Sequence, residues 1–345
     1  VRRTRLGLVV GLLLGVGLAP PADAAPPGSL AEAVRRDLGL TPEEYRARAG
    51  AARAAAHLLA GLRERVDVRR AWFDGATRTL HLWVPPEGVT RLDPVAGVGV
   101  RVSPGGDDLV GEPGELPAVE PFLRAGETIS TSRDDRFGRC TAGFALEAAD
   151  GSPGVLTSGH CGRPGEQVFS RGRRVGEFAR VVSDDLDRGG QGDDYAVVHL
   201  VRGEGGSKPD VVDHRGGAVP VEGVVDPVPG APVCKSGRTT GWTCGRVLAV
   251  RARVRSQPVG GVGSVLEVFA HDACTEAGDS GGPVMSGPWA VGITHGGRSG
   301  ADGRCPSRSG GANLAVAEPL ASDVLPDLAG SYRLRTTRRS GPDSA

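Results

Sequence analysis

A single serine stands in the run Gly278-Asp279-Ser280-Gly281-Gly282-Pro283, with an acid before it and glycine on both sides. Glycine is the residue of tight turns and of close backbone approach. A serine held there by freely turning backbone suits chemistry in which main-chain N–H groups face a developing negative charge. A serine hydroxyl is a weak nucleophile until a base removes its proton, and histidine is the side chain that titrates in the right range. An acid must then hold that histidine in the correct tautomer.

Of the seven histidines, His160 has the clearest local reason to be fixed. It ends the apolar run Leu156-Thr157-Ser158-Gly159 and abuts Cys161. His57, His81, His199, His214 and His271 have no comparable neighbour and read as structural or solvated. For the acid, Asp194 directly precedes the apolar run Tyr195-Ala196-Val197-Val198, which would carry it partly indoors. A buried carboxylate without a partner is costly, and a histidine N–H would satisfy it. Asp107-Asp108, Asp134-Asp135 and Asp184-Asp185 lie in polar runs and read as loops.

These residues must be positioned by a larger scaffold. The 345 residues allow two domains, or one domain with a substantial extra segment. Lysine plus arginine equals aspartate plus glutamate at 41 each, so neither a nucleic-acid footprint nor a polybasic membrane patch is implied. Gly 55 and Pro 26, with many short valine runs, favour β architecture. Arg2, Arg3 and Arg5, the uncharged run Leu6 to Leu18 and then Ala22-Asp23-Ala24 make a signal peptide over 1–24, hence a secreted, extracellular protein. The six cysteines read as three disulfides of an oxidising compartment. Sequence alone cannot choose among about fifteen pairings. Pairing neighbours gives Cys140–Cys161, Cys234–Cys244 and Cys274–Cys305, and the absence of Cys-x-x-Cys argues against zinc.

From Ala25 to about Phe122 the chain lacks cysteine. Thr41-Pro42-Glu43-Glu44 is a capping box, and Ala55, Leu58, Leu59, Leu62 and Val66 recur at helical spacing. Ala71 to Val84 then reads as a hairpin about Asp74-Gly75. A Pro/Gly/Glu-rich linker, Ser103 to Glu120, separates this α+β unit from short strands and glycine turns. The last residues, 331–345, read as a disordered tail.

From about Leu123 to Leu325 the chain resembles the bacterial secreted branch of the chymotrypsin-like serine proteases, the streptogrisin and α-lytic protease group. The matching stretches are RCTAGF (139–144), LTSGHC (156–161), DDYAVV (193–198), VCKSGRTTGWTCG (233–245), CTEAGDSGGP (274–283) and VGITHGG (291–297). The resemblance implies an all-β protease domain over 123–330, built of two six-stranded antiparallel barrels with the site in their cleft. It implies Ser280 as nucleophile, His160 as general base and Asp194 as orienting acid, with the Gly278 and Ser280 N–H groups as oxyanion hole. It supports the three neighbour disulfides and requires no metal or cofactor. Ala277, Thr294, His295, Gly296 and Gly297 fall at substrate-binding positions.

Three departures from the family stand out. Lys235 occupies the place of an arginine that pairs with the acid before the serine, here Asp279, and Arg238 is the competing partner. Ser158 replaces an alanine. His295 replaces a serine that contacts the triad acid, and three roles are open to it: structural, a perturbation of the acid, or recognition of an acidic substrate side chain. Primary specificity is therefore small apolar, large apolar or acidic. The front unit, 25–122, resembles the propeptides of this branch, which assist folding and inhibit. The expected product is a monomeric preproenzyme acting on proteins or peptides as an endopeptidase, with no nucleic-acid or membrane partner. A catalytically idle protease-like binding protein is the alternative.

Overall fold

The computed structural model describes residues 28–64, 68, 70–83, 98–103, 123–131, 139–183, 191–201, 206–215, 217–255, 265–298, 303–309 and 311–337. The segment 1–24 read as a signal peptide, Val66, and most of the stretch 103–120 read as a linker lie outside them.

Two helices open the described chain, α1 (Leu30–Leu38) and α2 (Pro42–Arg63), each begun by a capping box, Ser29 with Glu32 and Thr41 with Glu44. These caps satisfy helix N–H groups that have no partner within the helix. The buried face of α2 is mostly alanine, with Ala49, Ala52, Ala55 and Ala56 between Tyr45 and Leu59. Small side chains let it lie close to the sheet beneath, where Ala52, Ala55, Ala56 and Leu59 share a core with Val233, Phe269, Val284 and Val291. The Tyr45 hydroxyl is buried and accepts from Gly287 N–H at 2.9 Å. At the end of α1, the Asp37 carboxylate accepts from Cys244 N–H at 2.8 Å and Arg36 donates to the Trp242 carbonyl at 3.0 Å. The hairpin Arg70–Asp74 and Thr79–Trp83 is antiparallel, and Gly99–Ser103 adds to it in parallel.

Two large sheets carry most of the rest, beside a three-stranded sheet of Ala218–Pro220, Ser207–Val212 and Leu123–Ala125. The first runs, in spatial order, Tyr332–Leu334, Ala145–Ala148, Pro153–Thr157, Tyr195–Leu200, Arg173–Val182, Gln167–Ser170, Thr128–Thr131, Arg139–Thr141. The second runs Gln191–Gly192, Val265–His271, Gly241–Arg255, Pro232–Gly237, Pro283–Ser286, Trp289–Gly297, Gly223–Val224. Its eighth strand, Ala315–Pro319, pairs with both Val265–His271 and Trp289–Gly297 and is buried along its whole length.

This corrects the expected fold, all-β with two six-stranded antiparallel barrels preceded by a small α+β segment. The fold is mixed, with helices packed on the second sheet, and each large sheet has eight strands. The additional strands are short: Gln191–Gly192 and Gly223–Val224 join in parallel, and Tyr332–Leu334 comes from the stretch read as a disordered tail. Segments of two or three residues have no hydrophobic alternation to reveal them. They are strands because chain crossing a sheet edge satisfies its own N–H and C=O groups on that edge. Arg335 N–H extends the tail's attachment, donating to the Ala145 carbonyl at 2.9 Å.

His271 lies fully buried in the second sheet beside Phe269, ring centroids 5.9 Å apart. Burial, with the Lys235 charge nearby, pushes its imidazole down to about 3 from an ordinary 6.5. The folded state therefore binds fewer protons than the unfolded state between those values. The stability held by this group is complete above pH 6.5 and drains as pH falls toward 3. His271→Leu should flatten the acid side of the stability profile, as measured by urea midpoints from pH 7 down to 4. An unchanged profile would place the acid sensitivity elsewhere.

Candidate active site

Strand register brings the histidine and the acid together. Tyr195–Leu200 pairs with Pro153–Thr157, with Ala196 opposite Thr157, so the residue preceding one strand meets the turn following the other. Gly159–Cys161 forms that turn. A Cβ on Gly159 would lie 1.8 Å from the Val182 carbonyl oxygen, so only glycine brings the chain this close. The Cys140–Cys161 disulfide anchors the far side. His160 main-chain N–H then donates to Asp194 Oδ1 at 2.8 Å, and its ring Nδ1 lies 2.7 Å from Oδ2.

Asp194 Oδ2 also receives His295 Nδ1 at 2.8 Å. An ionised carboxylate only accepts, so both imidazoles carry their proton on Nδ1, which leaves His160 Nε2 as the basic nitrogen. The two rings meet edge to face, centroids 5.2 Å apart. Burial alone would raise the Asp194 carboxyl, but the two histidines outweigh it and hold it well below the usual carboxylate range. The ring nitrogens and the carboxylate oxygen lie within 4.8 Å of one another, a grouping that invites a metal. Tetrahedral zinc ligands sit about 3.3 Å apart. The 2.7 and 2.8 Å separations are instead those of groups in direct hydrogen-bonded contact. The other two clusters of this kind draw on disulfide-bonded cysteines.

The serine turn is shaped by glycine and by what holds its carbonyls. Gly278 has φ +91° and Gly281 φ +81°, the left-handed region. A trans peptide carries its C=O and N–H on opposite sides. Thr239 Oγ1 donates to the Ala277 carbonyl at 2.7 Å, which sends the Gly278 N–H the other way. Gly282 N–H takes the Asp279 carbonyl at 2.9 Å and does the same for Ser280 N–H. Thr141 Oγ1 pins the Gly278 carbonyl at 2.5 Å. Among the described residues neither the Gly278 nor the Ser280 N–H has an acceptor. Ser280 as a residue is 3% exposed, and its hydroxyl donates to the His295 carbonyl at 3.1 Å.

Beneath this turn Asp279 is fully buried, and Lys235 Nζ lies 2.7 Å from its Oδ2. Thr240 Oγ1 donates to the same oxygen at 2.6 Å, Glu276 N–H at 3.0 Å, and the Thr239 and Thr240 N–H groups reach Oδ1 at 3.0 and 3.1 Å. Burial raises the Asp279 carboxyl, yet the ammonium holds it below the usual range. Arg238 turns elsewhere, its Nε donating to Thr128 Oγ1 at 3.3 Å. Ser158 Oγ donates to the Thr294 carbonyl at 2.9 Å and so ties the histidine turn to the strand Trp289–Gly297. Thr294, His295, Gly296 and Gly297 are all buried on that strand, and Ala277 is held by its carbonyl. The remaining disulfides are Cys234–Cys244 and Cys274–Cys305.

Sequence reading missed Glu318. It is fully buried, and its Oε1 accepts from Asp194 N–H at 3.1 Å. The signal was present: one acid in the otherwise apolar run Leu314-Ala315-Val316-Ala317-Glu318-Pro319-Leu320. Thr141, Thr239 and Thr240 were missed as well, since no motif marks a threonine that fixes a peptide plane.

A family model described as Trypsin matches residues 141–310. Streptogrisin-C of Streptomyces griseus is 28% identical over 351 residues, covering 84% of this chain and 72% of the relative. Serine protease 2 of Streptomyces fradiae is 31% identical over 176 residues, 50% of this chain and 92% of the relative. The crystal structure of Nocardiopsis protease superposes with a TM-score of 0.50 at 32% identity, over 62% of this chain and 99% of that one.

Removing one partner from a buried ion pair typically costs about 3–5 kcal/mol, because it leaves an uncompensated charge. Lys235→Met should therefore lower the denaturation midpoint severely, and Lys235→Met/Asp279→Asn together should recover part of the loss. A single variant with the parent's midpoint would show that Lys235 does not hold Asp279 in place.

Proposed function

The chain belongs to the chymotrypsin-like serine proteases, in their bacterial streptogrisin branch, and from that premise we propose that His160, Asp194 and Ser280 are the working triad of a secreted serine endopeptidase. The observation that carries the reading is the 2.7 Å contact of His160 Nδ1 with a fully buried, hydrogen-bonded Asp194 carboxylate. That contact leaves Nε2 as the one ring nitrogen with a lone pair to take a proton. The reaction is acyl transfer. The Ser280 hydroxyl leaves its resting place on the His295 carbonyl, gives its proton to His160 Nε2 and attacks the peptide carbonyl. The oxyanion meets the N–H groups of Gly278 and Ser280, whose peptide planes were turned before substrate arrived. His160 returns the proton to the leaving amine, and water, activated by the same nitrogen, releases the acid.

Residues 25–122 are proposed as a propeptide and 123–330 as the mature protease. The docking of α1 and α2 on the second sheet through Asp37, Arg36 and Tyr45 supports a front segment shaped to this partner. Residues 277 and 294–297 are the proposed substrate-binding positions. For His295, the contact with Asp194 supports a role in perturbing or steadying the acid. A profile of peptides varied at the residue before the scissile bond separates the three specificities.

Labelling by a serine-directed phosphonate should fall on Ser280, vanish in His160→Ala, and be accompanied by a loss of at least about 10⁴-fold in kcat for either Ser280→Ala or His160→Ala. Hydrolysis that survives Ser280→Ala at the parent rate would overturn the assignment. N-terminal sequencing of the active form should begin near Leu123, and an uncut chain with full activity would refute the propeptide.

A further inference from the structure

Glu318 is a buried carboxyl beside the catalytic acid that the triad chemistry leaves unused. It lies on the strand Ala315–Pro319, opposite Ile293, and it is fully buried. One of its oxygens accepts the N–H of Asp194, and the other, Oε2, has no hydrogen-bond partner among the described residues. An ionised carboxylate would not tolerate so little solvation. The charged and titratable groups that bear on it are His295 from the neighbouring strand and Asp194 and Asp193 from the turn before Tyr195. Burial drives its carboxyl well above the ordinary 4.5, and the two aspartates push the same way against His295.

We propose that Glu318 is a positioning residue for the catalytic acid. It remains a neutral carboxyl, holds the Asp194 main chain by its N–H, and leaves the cluster's single negative charge on Asp194, between two imidazoles. The proposal rests on the triad reading above and extends it. Neutrality matters because a second carboxylate beside Asp194 would raise the affinity of both histidines for a proton. His160 would then stay protonated where it must act as a base. Position matters because the Asp194 carboxylate aims His160, and a displacement of about 1 Å near a reacting group can cost about 100-fold in rate.

The test uses Glu318→Gln, which keeps an accepting oxygen without charge, and Glu318→Leu, which does not. Rates are normalised to sites titrated by the phosphonate. The Gln variant should recover most of kcat, within about threefold, with the acid limb of the pH–kcat/KM profile unmoved. The Leu variant should lose about 10- to 100-fold in kcat at nearly constant KM. A Gln variant whose acid limb drops by about one pH unit would mean that Glu318 carries a charge, which overturns the neutral role. A Leu variant with the parent's kcat per titrated site would overturn the positioning role.

A second readout does not depend on turnover: the low-field Nδ1–H resonances of His160 and His295 in nitrogen-labelled protein. Both should persist in Gln and shift or vanish in Leu, and resonances unmoved in Leu again refute the role. If the parent protein takes no phosphonate at Ser280, the triad reading fails while these resonances still decide the inference. Should Leu not fold, the acid limb of the Gln variant settles the question of charge by itself.

Discussion

One buried charge organises this molecule. Asp194 has no exposed surface, and three N–H groups meet its carboxylate, the main chain and ring of His160 and the ring of His295, while its own N–H donates to Glu318. A carboxylate cannot be placed in a protein interior unless such donors are already there. Its partners come from three parts of the chain: two donors from a turn of the first sheet, one from the strand Trp289–Gly297, and the acceptor for its N–H from the strand Ala315–Pro319. Satisfying Asp194 therefore joins the two large sheets at one point, and the same contacts that make it affordable aim the imidazole.

The serine half follows a parallel logic with a different charge. Asp279 is also sealed from solvent, and its two oxygens take the Lys235 ammonium, a threonine hydroxyl and three main-chain N–H groups. This network holds the backbone on either side of Ser280, and threonines 141 and 239 then orient the peptides around it. Lysine supplies the charge as a compact point that three acceptors share, the Thr240 hydroxyl, the Gly241 carbonyl and the Asp279 carboxylate, whereas a planar guanidinium would need a matching fork. Here one hydroxyl, Thr240 Oγ1, sits between the ammonium and the carboxylate and bonds to both.

Much of the site was legible in the sequence because its parts are local. His160 beside a half-cystine, Asp194 ahead of an apolar strand and Ser280 among glycines each announce themselves within a few residues, and a family resemblance joins them. Glu318 did not, since its partner Asp194 lies 124 residues away and no short pattern links them. The class of the fold was misjudged for a related reason. Alternation reveals strands long enough to show a period, while two- and three-residue pairings exist only once a sheet edge is present to receive them. The helix Pro42–Arg63 was visible from Thr41 and the leucine spacing, but its burial against the second sheet is a tertiary fact carried by alanines, which mark no face by themselves.

The pairing of Tyr332–Leu334 with Ala145–Ala148 has a temporal meaning. The edge strand beside the histidine's own sheet waits for residues some 180 positions downstream, the Arg333–Glu147 pair being 186 apart in the chain. Polypeptide emerges from the ribosome and from an export channel amino end first. During that passage the first sheet has an open flank, and Ser280 emerges before the flank is covered. Completion of that sheet therefore has to wait until His160, Asp194 and Ser280 have all been made.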